Sequence, residues 1–234
     1  MTGYAQNSKN ITSWAQLASC VGEYRDGWIF RGEVDPSNEK LTPKAGRYSK
    51  KLGSARKVPY TREDEIQAFH DFKKAARPYL SHEPKSDIEW LAIAQHHGVP
   101  TRLLDWTESL LVAAFFAVEK AGTLGDAVVY AVKGLDAIDE EKENPFQIDQ
   151  VKTYRPPHIS PRIPAQRSIF TIHLDPSKPF EFHSLERWVL DKNICWDLKQ
   201  NLDACAINES SLFPDIDGLS RYIAWRYKWG FFRS

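Results

Sequence analysis

The chain is short of several things at once. It has three cysteines, Cys20, Cys195 and Cys205, an odd number at spacings that match no paired framework. A disulfide-stapled scaffold is therefore excluded as the organising device, and free thiols in a reducing compartment are the simplest reading. Charge of either sign is not in excess: 31 Lys and Arg balance 31 Asp and Glu. No global field announces a nucleic-acid or membrane binder. The longest apolar run, Leu110–Val118, has nine residues, less than half of the ~20 that a membrane span needs. The first ten residues, MTGYAQNSKN, lack the charged-then-apolar pattern of a signal peptide. The expectation is a cytoplasmic protein with no membrane association. Glycine-rich phosphate loops, a G-x-S-x-G elbow and a Walker pattern are missing too, which removes the commonest nucleotide and hydrolase signatures. His96 and His97 are helical neighbours and diverge, and no Cys/His spacing elsewhere helps, so no metal is expected.

What is present is ordinary in bulk and dense in one place. At 234 residues with 42% apolar content the chain can bury a full core. Eight Trp, nine Tyr and twelve Phe supply either stacking surfaces or a heavily aromatic core. Residues 95–106 read QHHGVPTRLLDW, followed directly by TESLLVAAFFAVEK. Asp87–His97 has helical phase, Gly98 sits where a left-handed C-terminal residue belongs, and Pro100 stops the helix from resuming. TRLLDW then reads as extended, and Thr107 or Ser109 caps a helix over Leu110–Lys120 that is apolar on nearly all sides and hence buried.

Residues 1–10 read as a flexible N-terminus and 11–234 as a single domain. A helix begins after Thr12 or Ser13, and Trp28–Gly32 (WIFRG) is a short strand carrying Arg31 at its end. Lys40–Lys57 has seven Lys or Arg and no acid, a basic loop that is either merely solvated or a contact for a phosphate backbone. Thr61–Tyr79 is a helix with acids in its first turn and bases in its last. Asp126–Lys133 and Ser168–Leu174 are strands, residues 147–151 and 154–164 are loops, residues 184–203 carry helical periodicity, and a last helix spans Leu219–Trp229. The class is α+β, with helices around a small, largely antiparallel sheet.

Several residues have the chemistry of a site. His97 is a general acid or base, or a brace for its loop. Arg102, flanked by Leu103, Leu104 and Trp106, must find an acceptor, and a phosphate or a structural carboxylate fits equally. Trp106 and Tyr154 either stack on a ring or fill the core.

WIFRGE at 28–33, the 95–118 block, RIPAQRSIFTIH at 162–173 and SLFPDIDG at 211–218 together resemble the FRG domain, a family named for Phe-Arg-Gly, here Phe30-Arg31-Gly32. A more distant resemblance is to the arginine-type ADP-ribosyltransferases. That likeness implies an NAD-utilising transferase with an ADP-ribosyltransferase-like fold. Arg31, with Gly32 and Arg102, would hold the NAD phosphates or ribose, and Trp106, Thr107 and Ser109 would shape the nicotinamide side. His97, Asp105 and Gln166 join Arg31 as catalytic candidates. Where the transferases carry a Glu on a later strand, this chain has Gln166-Arg167-Ser168. Gln166 can exchange hydrogen bonds but supplies no negative charge against a developing cation. Glu33, Asp105, Asp215 and Asp217 are the substitutes in view. The implied partners are NAD as substrate, a protein or nucleic-acid acceptor, and an antitoxin or defence-system partner, as in a bacterial toxin or phage-defence setting. The competing reading is a noncatalytic nucleotide or nucleic-acid sensor.

Overall fold

The computed structural model of the chain describes residues 7–34, 41–47, 50–51, 57–80, 82–119, 127–158 and 160–232. Residues 40, 48–49 and 52–56 of the basic loop lie outside these residues, as do residues 1–6. Seven strands form one sheet: β1 (Asn7–Ile11), β2 (Trp28–Glu33), β5 (Leu103–Thr107), β6 (Ala127–Lys133), β7 (Lys152–Tyr154), β8 (Ser168–Ile172) and β9 (Glu186–Leu190). Their order is β1-β9-β6-β2-β5-β8-β7. Every pairing is antiparallel except β1 with β9. Two-residue strands β3 (Lys50–Lys51) and β4 (Lys57–Val58) make a separate ladder. The class is the mixed, mostly antiparallel one that the sequence predicts, with a larger sheet.

Side chains alternate across a strand, so register fixes which residues share a face. Phe30, Gly32, Ala127, Val129, Ala131, Trp188 and Leu190 line one face at the β2-β6-β9 end. They pack on α5 (Leu110–Val118), α1 (Trp14–Glu23) and α7 (Cys195–Ala204) through Phe115, Leu17 and Leu198. On the same face, at the β5-β8-β7 end, Leu103, Phe170, Ile172 and Tyr154 pack on α3 (Arg62–Ala76) and α4 (Asp87–His96). The opposite face carries Ile29, Leu104, Trp106, Val128, Tyr130 and Ile169 under Leu41, Phe180 and Leu185. Two helical layers thus sit side by side on one face, and the line between them falls over β2 and β5.

Local chemistry explains most helix boundaries. Ser13, Thr61, Ser86 and Ser109 each accept a hydrogen bond from the backbone N–H three residues on, capping α1, α3, α4 and α5. Pro78 enters a 3-10 turn, Arg77–Tyr79, that closes α3. Gly98 has φ of 88°, and the Gly98 and Val99 N–H groups donate back to the Gln95 and Ala94 carbonyls. That is the left-handed helix stop which Gly permits at little cost.

Four readings need correction. Residues 7–10, taken as part of a loose N-terminus, form most of β1, whose Lys9 ammonium lies 4.4 Å from the Tyr24 ring centroid. Residues 186–190, taken as helical, are β9; Trp188 and Leu190 alternate inward, and helix resumes only at Cys195. The loop-like stretch at 154–164 begins on the last residue of β7, Tyr154, and runs into the start of α6 (Arg162–Gln166). The last helix, α9 (Ile216–Lys228), begins three residues early because Asp215 caps it, accepting from the Gly218 N–H at 2.7 Å.

Candidate active site

The sheet forks between β2 and β5. β2 and β5 share a single register pair, Phe30 with Thr107, whereas β2 and β6 share six. Beyond Phe30 the two strands diverge, and a cavity of about 400 Å³ opens there. Its walls come from β2 (Arg31, Gly32, Glu33), β5 (Asp105, Trp106, Thr107), α5 (Phe116) with Glu119 just after it, the end of α4 (His96), and α6 (Arg162, Gln166). Such a volume is within the range of small-molecule sites.

The three residues of the Phe-Arg-Gly motif do three different jobs. Phe30 is 1% exposed and tilts against Trp188 in the core. Gly32 lets a helix backbone lie on the strand: a Cβ there would be 1.9 Å from the Ala113 carbonyl oxygen and 2.6 Å from the Ala117 nitrogen. Arg31 alternates to the fork. Its Nε and Nη2 reach Glu33 Oε1 at 2.7 and 2.6 Å, and its Nη1 donates to the Asp105 carbonyl at 2.6 Å. The guanidinium is thus tethered to both banks of the fork.

Asp105 is fixed in turn. Gln95 Nε2 donates to its Oδ2 at 3.1 Å, and Thr101 Oγ1 donates to Gln95 Oε1 at 2.7 Å. The QHHGVPTRLLDW stretch therefore closes on itself at the cleft. Trp106 is among the residues that line the cleft, but it is 3% exposed, packs against Phe180 on the opposite face, and its Nε1 donates to Thr171 Oγ1 at 2.9 Å. Thr171 Oγ1 lies 2.9 Å from His173 Nε2. With the indole as donor, the Thr171 hydroxyl gives its own proton to a neutral imidazole. Burial, followed by the charges of Arg31 and Arg102, pushes the His173 pKa down to about 3.

Three of the sequence-derived candidates lie elsewhere. Arg102 is 1% exposed and bonds Glu65 twice, at 3.0 and 2.6 Å. The Pro145 and His173 carbonyls and the Phe146 ring complete its surroundings. It is a saturated core arginine and does not line the cleft with Arg31. His97 is the exposed cap of α4 and sits by Phe72, Tyr79 and Leu80 instead. The helix end turns His96 into the cleft in its place. Burial first, then His97 and Arg162, lowers the His96 pKa against the opposing pull of Asp105, so the neutral base dominates at neutral pH. Ser109 caps α5 and accepts from the Val112 N–H, and Thr107 Oγ1 ties the Gln166 carbonyl to the Ser109 N–H. Thr107 lines the cleft; Ser109 does not.

Gln166 reaches the cleft from α6, with Nε2 committed to the Leu212 carbonyl at 2.9 Å. Beside it Arg162 is paired with Asp215, 3.1 Å from its Nε. Asp217 occupies the first turn of α9 and does not line the cleft. Sequence reasoning missed His96, Arg162 and Glu119. The only signal for Glu119 was its place three residues after Phe116, at the polar end of an otherwise apolar helix. Among the described residues, no three His, Cys, Asp or Glu side chains converge to hold a metal ion, and no helix is long and apolar enough to cross a membrane.

Residues 26–124 match the family model of the FRG domain. The match takes in β2, the α4–β5 turn and α5, hence both banks of the fork; α6 with Arg162 and Gln166 falls after it. Neither the curated proteins nor the solved structures compared with the chain gave a match.

Proposed function

We propose that this chain is an NAD-utilising, ADP-ribosyltransferase-like enzyme whose site is the cleft at the fork of the sheet. One observation carries the reading: Arg31 lies on β2, two residues before the strand's last residue, with its guanidinium in a cleft that also holds carboxylates, a neutral imidazole and aromatic side chains. Guanidinium groups suit phosphate and ribose oxygens because their donors are planar and forked. In this reading Arg31 and Arg162 bind the diphosphate by exchanging part of their present carboxylate contacts for it. Gln166 retains an Oε1 that has no partner among the described residues and accepts from a ribose hydroxyl. Glu33, joined to Arg31, puts negative charge beside the ribosyl carbon as the glycosidic bond loosens. The bond from that carbon to nicotinamide breaks with its electron pair leaving on nicotinamide. A nucleophilic atom of a protein or nucleic-acid acceptor bonds the carbon, and its proton passes to His96.

The second reading is a nucleotide-binding module without turnover, favoured by Gln166 standing where the transferases have a Glu. Purified protein incubated with NAD, with and without protein or RNA acceptors, separates the two. The transferase reading expects nicotinamide release that falls at least about 100-fold in a folded Arg31→Ala variant, as for loss of one charged contact in a desolvated site. Binding without release supports the module. Absence of both binding and release removes NAD from the account.

A further inference from the structure

The cleft's charges are unevenly matched. Arg31 is tied to Glu33, and Arg162 to Asp215. Asp105 accepts from Gln95 and its side chain is 62% exposed. Glu119 is different. It is half-buried, it lines the cleft, and its carboxylate has no hydrogen bond or ion pair among the described residues. Lys199 Nζ donates at 2.9 Å to its backbone carbonyl and pairs with Glu209 instead.

Phe116 stands three residues earlier, which places it on the same side of the α5 axis as Glu119. Its ring is half-buried and lines the same cavity, with Phe115 and Phe213 edge-on against it at centroid separations of 5.6 and 6.1 Å. Those contacts hold the ring in place. An aromatic face beside an unpaired carboxylate, in a partly desolvated cleft, attracts a planar cation through both the ring quadrupole and the charge. A neutral ring of the same shape gains only the stacking part.

We infer that Phe116 and Glu119 form a subsite for a planar cationic ring, and that it seats the oxidised, positively charged nicotinamide end of the dinucleotide. The identity of the ligand rests on the NAD reading above; the preference for a cationic ring rests on these two side chains alone. The subsite turns the dinucleotide so that nicotinamide faces α5, away from the Ser109 cap. It discriminates NAD from its reduced form, whose dihydronicotinamide ring is neutral. It also weakens its hold once the glycosidic bond breaks, because free nicotinamide carries no charge.

Titration calorimetry with four ligands tests this: NAD, its reduced form, 1-methylnicotinamide (cationic) and nicotinamide (neutral). The wild-type protein is expected to favour each cationic member by about tenfold, the range of a partly desolvated cation–π contact with a nearby carboxylate. Glu119→Gln, which keeps the shape and leaves only the ring contribution, should reduce both preferences, Phe116→Leu should reduce them too, and the double variant should abolish them. Equal binding of NAD and its reduced form overturns the subsite while leaving NAD as the ligand. A preference for 1-methylnicotinamide without NAD binding keeps the subsite and overturns the NAD reading. If neither cationic ligand binds, both are overturned.

Discussion

Replacing Gly32 with alanine should be among the most damaging single-methyl changes in this chain, although Gly32 has no unusual backbone angle. Its added Cβ would lie 1.9 Å from the Ala113 carbonyl oxygen and 2.6 Å from the Ala117 nitrogen. Both obstacles are helix backbone, so no side chain can swing aside; β2 and α5 must separate. Overpacking that side chains can absorb costs about 1–3 kcal/mol, and this case belongs at or above the upper end. For 234 residues an unfolding entropy of about 2.1 cal/mol/K per residue gives about 0.5 kcal/mol/K, so ~3 kcal/mol lowers Tm by about 6 °C. Gly22 supplies the matched control. It lies inside α1, and an added Cβ there would meet nothing nearer than Arg25 Nη2 at 4.0 Å. Gly22→Ala should raise stability by about 0.5–1 kcal/mol through helix propensity and reduced unfolded-state freedom. Differential scanning calorimetry of the two variants is sufficient. A Gly32→Ala protein melting within a degree of wild type would refute the claim that this glycine exists to let α5 lie on β2.

Two further perturbations follow from buried groups. Glu65→Ala leaves the Arg102 guanidinium buried without its carboxylate and should cost about 3–5 kcal/mol in urea unfolding; a loss below about 1 kcal/mol contradicts the saturated-core assignment. His173, with its pKa held near 3, binds fewer protons folded than unfolded. Its contribution is therefore complete above the ordinary histidine value of 6.5 and declines as pH falls from there toward 3. At pH 5 that decline approaches about 2 kcal/mol. His173→Gln keeps a hydrogen-bond acceptor for Thr171 and should flatten the fall in stability between pH 7.5 and pH 5 by about that amount; an unchanged slope refutes it.

The parts of this fold that were legible in the sequence are those governed by neighbouring residues. The Ser86 cap and the Gly98 stop bound α4, and the unbroken apolar run from Leu110 marks α5 as buried. Hydrophobic alternation could not reveal β1, because NSKNI has a single apolar residue, Ile11, and its place depends on β9 from the far end of the chain. The β9 segment ERWVL ends four residues before a helix, and its period of two was swamped by the period of 3.6 that follows. At the site, Arg31 and Gly32 were legible as a pair. Arg102 was not, since the carboxylate that saturates it is 37 residues away on α3. The phase of a helix end decided between His96 and His97, and one residue of phase is beyond sequence reasoning. Glu119 became visible only when the fork brought the end of α5 to Arg31.

The central claim is that NAD occupies the fork, and the chain's eight tryptophans allow it to be tested by position. Among them only Trp106 lines this cleft, so an NMR titration of the eight indole N–H signals with NAD should move the Trp106 resonance, identified by Trp106→Phe. The shift should disappear in Arg31→Ala while the other seven signals stay in place. A titration that leaves Trp106 still, or instead moves the α7–α9 cluster of Trp196, Trp225 and Trp229, would contradict the account.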